Sequence, residues 1–244
     1  MRATTPPFTP RVRAPGEAAV IAIDGPAASG KSSTAHWVAE RLGFRHIDSG
    51  ALYRAATAAA MRRRPGGGWA EPLVLAAAAD VRLVPDRSSF VAAIGEELID
   101  AEIREPGVTQ HVSLVAKMPR VRGWVNDVVR RAAQGHDVVV DGRDIGTVVF
   151  PEADLKVFLV ADPWERARRR LTQRLERAPT DDEIAEETER LVQRDARDAT
   201  QTVQASDAVL IDTTFLTQEE QVERIVTLAK VVLKRGATPT PDEE

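Results

Sequence analysis

Residues 20–32 read Val20-Ile21-Ala22-Ile23-Asp24-Gly25-Pro26-Ala27-Ala28-Ser29-Gly30-Lys31-Ser32, an apolar run that passes directly into Gly-x-x-x-x-Gly-Lys-Ser. The run suits a buried strand. In the loop after it, glycines let the backbone curl so that successive N–H groups face a phosphate, a lysine reaches the β and γ oxygens, and a Ser/Thr hydroxyl contacts Mg2+. The pattern carries weight only between a strand and a helix; otherwise it is a glycine-containing turn. Here the helix is expected over 31–42, with Ala35, Val38, Ala39 and Leu42 at helical spacing and Gly43 as its stop. The expected triphosphate site is Gly25, Pro26, Ala27, Ala28, Ser29, Gly30, Lys31, Ser32 and Ser33, with Mg2+ on Ser32.

The rest of the chain bounds the setting. Its 244 residues suit one substantial core with appendages, and 43% hydrophobic with 29% charged residues is ordinary for a globular protein. The absence of cysteine removes disulfides, thiolate metal sites and cysteine nucleophiles. No apolar stretch approaches the roughly 18 residues that span a bilayer, and 1–16 lacks a signal-type apolar region. A cytoplasmic monomer is expected. A net charge of −4 gives no global basic field for nucleic acid. Lys31, Lys117, Lys156, Lys230 and Lys234 are the lysines, so most cationic side chains are arginines, whose forked donors suit phosphate; genomic composition gives the same excess.

Strand-like and helical stretches alternate. Further strands are expected at 44–47, 138–141, 155–161 and 208–212, and helices at about 51–64 and after the capping box Thr217-x-x-Glu220. Wholly apolar strands alternating with helices imply a parallel sheet covered on both faces, with ligands at the strands' carboxyl ends. Asp48-Ser49 and Asp141-Gly142-Arg143-Asp144 lie there as well. Residues 81–85 and 90–94 suggest a small antiparallel insertion, and the charged stretch 166–198, broken at Pro179, a helical excursion. Residues 1–16 read as a disordered leader and 237–244 as a tail. His36, His46, His111 and His136 lack metal-ligand spacing, and Trp37, Trp69, Trp124 and Trp164 are expected to pack.

No guanine-reading Asn-Lys-x-Asp is present; Arg-Asp pairs recur instead at 143–144 and in Arg194-Asp195-Ala196-Arg197-Asp198. Together with the Asp-Gly-Pro-Ala-x-Ser-Gly-Lys-Ser stretch at 24–32, Asp48-Ser49-Gly50-Ala51-Leu52-Tyr53-Arg54, Pro119-Arg120-Val121-Arg122 and the block from Asp141 to Pro151, the sequence closely resembles bacterial cytidylate kinases. The resemblance runs from about residue 19 to 235. It implies the P-loop NTPase α/β fold of nucleoside monophosphate kinases: a parallel five-stranded sheet with helices on both faces, a small NMP-binding insertion and a helical lid. Within a domain at 17–236, the core would be 17–72, 120–165 and 202–236, the insertion about 73–119 and the lid about 166–201.

The implied reaction moves the γ-phosphoryl group of ATP, held with Mg2+, to CMP or dCMP. No general base is needed, because a phosphate acceptor is ionised near neutral pH. By resemblance Lys31, Arg143 and Arg194 serve the transfer, Arg166 and Arg170 approach ATP from the lid, and Ser49, Tyr53, Arg54, Ser113, Arg122, Arg143, Asp144, Arg194 and Asp198 hold CMP. A carboxylate facing cytosine's amino edge favours it over uracil. One departure stands out: Gln201 occupies a position where the family usually carries arginine, and Arg197 is a possible substitute. A kinase for UMP or a non-nucleotide acceptor, or a nucleotide-binding switch, are the alternative readings.

Overall fold

The computed structural model describes residues 13–236 apart from 15 and 176, so the expected leader lies mostly, and the tail wholly, outside the described residues. In chain order the elements are β1 (Val20–Asp24), α1 (Lys31–Leu42), β2 (Arg45–Asp48), α2 (Ser49–Arg63), α3 (Glu71–Ala77), β3 (Val81–Asp86), β4 (Ser89–Ile94) and β5 (Glu97–Leu98). There follow α4 (Pro106–Val115), α5 (Pro119–Ala133), β6 (Val138–Gly142), β7 (Leu155–Val160), α6 (Pro163–Leu175), α7 (Asp181–Asp198), β8 (Val209–Asp212) and α8 (Gln218–Gly236).

Five strands, in the order β2-β6-β1-β7-β8, form a parallel sheet with β1 at its centre. Because strand side chains alternate between faces, Ala22, Ile47, Val138 and Val140 pack with α2 and α5, while Ile21, Ile23, Val139 and Val157 pack with α1 and α8. Both faces are therefore buried, which is why β1 and β6 carry no polar residue until their aspartates. They end together: Asp141 is in register with Ile23 on one side and Asp48 on the other.

The antiparallel pair expected at 81–85 and 90–94 is present as β3 and β4, and it joins this sheet. Ser88 O accepts from His46 N at 2.8 Å, β4 runs parallel to β2, and β3 pairs antiparallel with β4. A bare edge at β2 is thereby covered and the sheet grows to eight strands. Helix α2 starts at Ser49, earlier than expected, because the Asp48 side chain caps it by accepting from Ala51 N at 3.1 Å. Helices α3, α4 and α5 each open with a proline in the first turn, a start signal absent from the sequence expectation.

Helices α6 and α7 form a hairpin with its own small core, Ala167, Leu171, Ile184 and Leu191, closed against Ala27 of the P-loop. Thr180 and Glu183 form a capping box that restarts the chain after Pro179. The expectation that the tryptophans pack holds for buried Trp69 but not for Trp37, which is 48% exposed, nor Trp164, 38% exposed.

Candidate active site

The first functional element is the turn between β1 and α1. Gly30 (φ 86°) sits at the helix N-cap in the left-handed region, where glycine is unstrained. A side chain at Gly25 would meet the Leu159 carbonyl oxygen at 2.3 Å, so the loop can lie against β7 only because position 25 has none. Lys31 is 7% exposed and its Nζ donates to the Pro26 carbonyl at 3.0 Å. Burial, and then the Arg143 and Arg194 guanidiniums, push its ammonium down to about 7, against the pull of Asp141 and Asp48. An anion placed there would reverse that shift.

Three aspartates at strand ends organise what surrounds the lysine. Asp24 accepts from the backbone N–H groups of Ile145 and Gly146, both at 2.8 Å, and so fixes the loop after β6. Burial raises its carboxyl to about 6 although those two bonds oppose the rise. Asp141 accepts from Ser32 Oγ at 2.6 Å and from His46 Nε2 at 2.7 Å. Burial pushes Asp141 up, but His46, Lys31 and Ser32 outweigh it and hold the carboxyl below its usual range. Desolvation of its carboxylate, and then repulsion from Asp141, push half-buried Asp48 up. Ser32 Oγ and the Asp141 carboxylate are hard oxygen donors that face the cleft, a set that fits Mg2+.

Beyond Lys31 the cleft opens into a cavity of about 500 Å3. Arg143 Nη2 and Arg194 Nε lie 3.6 and 3.7 Å from Asp198 Oδ2. The Nε atoms of both arginines are buried without a hydrogen bond partner. Burial, then Arg143 and Arg54, lower the Arg194 guanidinium to about 10. Clustered, desolvated guanidiniums with unspent donors suit an oxyanion such as phosphate. Arg54 reaches the same wall, with Nη1 donating to Ile103 O at 3.0 Å and Thr109 Oγ1 at 2.9 Å. Deeper in, Arg122 pairs with Asp144 and lies over the Tyr53 ring at 5.8 Å, beside buried Ser113. Burial raises the Tyr53 hydroxyl to about 12.

The fold thus gathers Lys31, Ser32, Ser49, Tyr53, Arg54, Ser113, Arg122, Arg143, Asp144, Arg170, Arg194 and Asp198 around one cavity. Gly30 and Ser33 border an adjoining cavity of about 1070 Å3 that shares Lys31, Ser32 and Arg170 with the first. Arg166 lines neither. It is 3% exposed, donates to Ala27 O at 2.7 Å and pairs with Asp195 at 2.7 Å; Asp195 also accepts from Ala27 N at 3.3 Å. These contacts latch the α6–α7 hairpin to the P-loop. Arg197 is exposed and outside the cavity lining, so it does not replace an arginine at 201; Gln201 itself lines the cavity, as do Arg104 and Arg174.

Sequence reasoning assigned no role to Asp24, Asp48, Asp141 or His46. Three of them carry a legible signal, since β1, β2 and the apolar run at 138–141 all terminate in aspartate.

A family model described as cytidylate kinase matches residues 21–231. The cytidylate kinase of Caldanaerobacter subterraneus subsp. tengcongensis is 43% identical over 210 residues, covering 84% of this chain and 92% of that protein. Those of Mycobacterium leprae and Acholeplasma laidlawii are 39% identical over 222 residues and 37% over 217, covering 86% and 85% of this chain and 95% and 93% of theirs. Likeness of this extent takes in both the P-loop and the arginine-lined cavity, and the chain belongs to the cytidylate kinase family.

Proposed function

We infer that the two joined cavities bring ATP and a cytidine monophosphate together, with the P-loop serving the donor and the arginine-lined cavity the acceptor. The chain is an ATP-dependent phosphotransferase that converts CMP and dCMP to their diphosphates. The observation that carries the assignment of halves is the pair of buried Nε atoms on Arg143 and Arg194 that make no hydrogen bond, close to Lys31.

Transfer between two polyanions is a problem of alignment and charge, not of proton abstraction. Lys31 meets the charge on the transferring group, and Arg54, Arg143 and Arg194 hold the acceptor phosphate in line. Ser32 and Asp141 would hold Mg2+ together with the nucleotide, and the ion would further neutralise phosphate charge. Asp144 accepts from the 4-amino group of cytosine, with Arg122 and Ser113 beside it, and Asp198 meets the ribose. Uracil places a carbonyl against the same carboxylate, a mismatch on the order of 1–3 kcal/mol. Residues 73–119 form the wall that closes on the acceptor, and 166–201 a lid that carries Arg170 and Arg194. Arg166 acts through the latch on Ala27, positioning the P-loop.

The test is ADP formation with CMP, dCMP, UMP and AMP as acceptors. CMP and dCMP turned over at least about tenfold more efficiently than UMP is the expected result; equal turnover of CMP and UMP removes the pocket assignment.

A further inference from the structure

Helix α5 buries Val121, Val125, Val128 and Val129, and among them stands one polar residue, Asn126. Its side chain is 9% exposed and lines the acceptor cavity. It has no hydrogen bond partner among the described residues. Its amide atoms reach the cavity instead of being sealed in the core, and asparagine is a poor helix former at an interior position. No protein group holds this amide, which is left to meet whatever fills the cavity. Asn126 follows Arg122 by four residues, which puts both on one side of the helix, and Arg122 is paired with Asp144.

We propose that Asn126 reads the base of the acceptor nucleotide, bonding the exocyclic group at position 4 of the pyrimidine alongside Asp144. The inference rests on the reading of this cavity as the cytidine monophosphate site. Its logic is the donor and acceptor inventory: a carboxylate only accepts, a guanidinium only donates, and a carboxamide does either after a half-turn. Cytosine's amino group has two N–H bonds, one for Asp144 and one for the Asn126 amide oxygen. Uracil's carbonyl would instead accept from the amide nitrogen. Asn126 thus strengthens binding of either base, and Asp144 makes the choice between them.

The variant N126L keeps the side chain's size and removes its polar atoms. Expected are an unchanged or raised melting temperature, KM values for CMP and for UMP each increased about tenfold, kcat within about threefold, and an unaltered KM for ATP. A merely structural residue would leave KM for CMP where it was, and that result overturns the proposal, as does an equal rise in KM for ATP. The second variant, N126D, leaves only acceptors. It shifts the ratio of kcat/KM for CMP to that for UMP by about fivefold or more toward CMP; an unmoved ratio overturns the proposal even if N126L fails to fold. Unmutated protein that ignores CMP would overturn the reading of the cavity itself, whereas CMP activity indifferent to both variants overturns only the role of Asn126.

Discussion

In the proposed assignment the two halves of the cleft hold phosphate by different means. The proposed donor half is one continuous stretch, residues 25–33, a backbone turn whose single cation is Lys31. The acceptor half is made of side chains from α2, α4, α5, α7 and the loop after β6, and has almost no local structure of its own. A backbone cradle depends on conformation, so most of its side chains are free to vary. A side-chain cradle depends on charge and reach, so each member matters and the helices that carry it must hold position.

The difference can be broken first at Lys31, the one cationic side chain of the stretch 25–33. Lys31→Met is expected to lower kcat by roughly 10^3-fold, as losing a preorganised charge on the transferring group does. A loss under tenfold in single-turnover assays would assign its role elsewhere. Next comes the acceptor half, where Arg143→Lys preserves charge but not the fork. A fall of about 10^2-fold in kcat/KM for CMP with KM for ATP unchanged is expected, and equal damage to both nucleotides would merge the two halves.

Asp144→Asn should alter selectivity more than rate. The preference for CMP over UMP is expected to shrink by about tenfold or more, since the amide can donate to uracil's carbonyl; an unaltered preference in competition assays would move base reading away from Asp144. A smaller effect concerns pH. The Lys31 ammonium is held down to about 7 without ligand, so above that pH it is largely neutral, and a triphosphate must restore its proton. ATP affinity should therefore weaken by up to about tenfold for each pH step above 7, with proton uptake on binding visible as buffer-dependent heat. Heats independent of the buffer would show a lysine already charged.

Ser29→Ala is expected to change least. The Ser29 hydroxyl is buried without a hydrogen bond partner, so its loss should alter kcat/KM by less than about threefold and leave the melting temperature unlowered. A large loss would mean that the donor half uses side chains after all.

The two halves were also unequally legible. The donor half could be read from 20–43 directly, because a strand end, a left-handed glycine and a helix start are short-range requirements written in adjacent residues. The parallel core followed from apolar runs that can be buried only on both faces. On the acceptor side the arginines were recognised by resemblance, and their arrangement was not legible: nothing local distinguishes Arg166, buried against Ala27, from Arg143, aimed into the cavity. Asn126 escaped notice because its sequence context is an ordinary amphipathic helix.

By itself, then, the sequence determined the P-loop, the five parallel strands and helices α1, α2 and α8, since each follows from backbone conformation or from burial of a whole segment. Only the tertiary structure decided which charges meet. Residues 54, 122, 143 and 194 lie far apart along the chain, and the sign and strength of their interactions depend on burial and on distances of a few ångströms. Those are fixed by how α2, α5 and α7 pack around the sheet, not by any residue's neighbours in sequence.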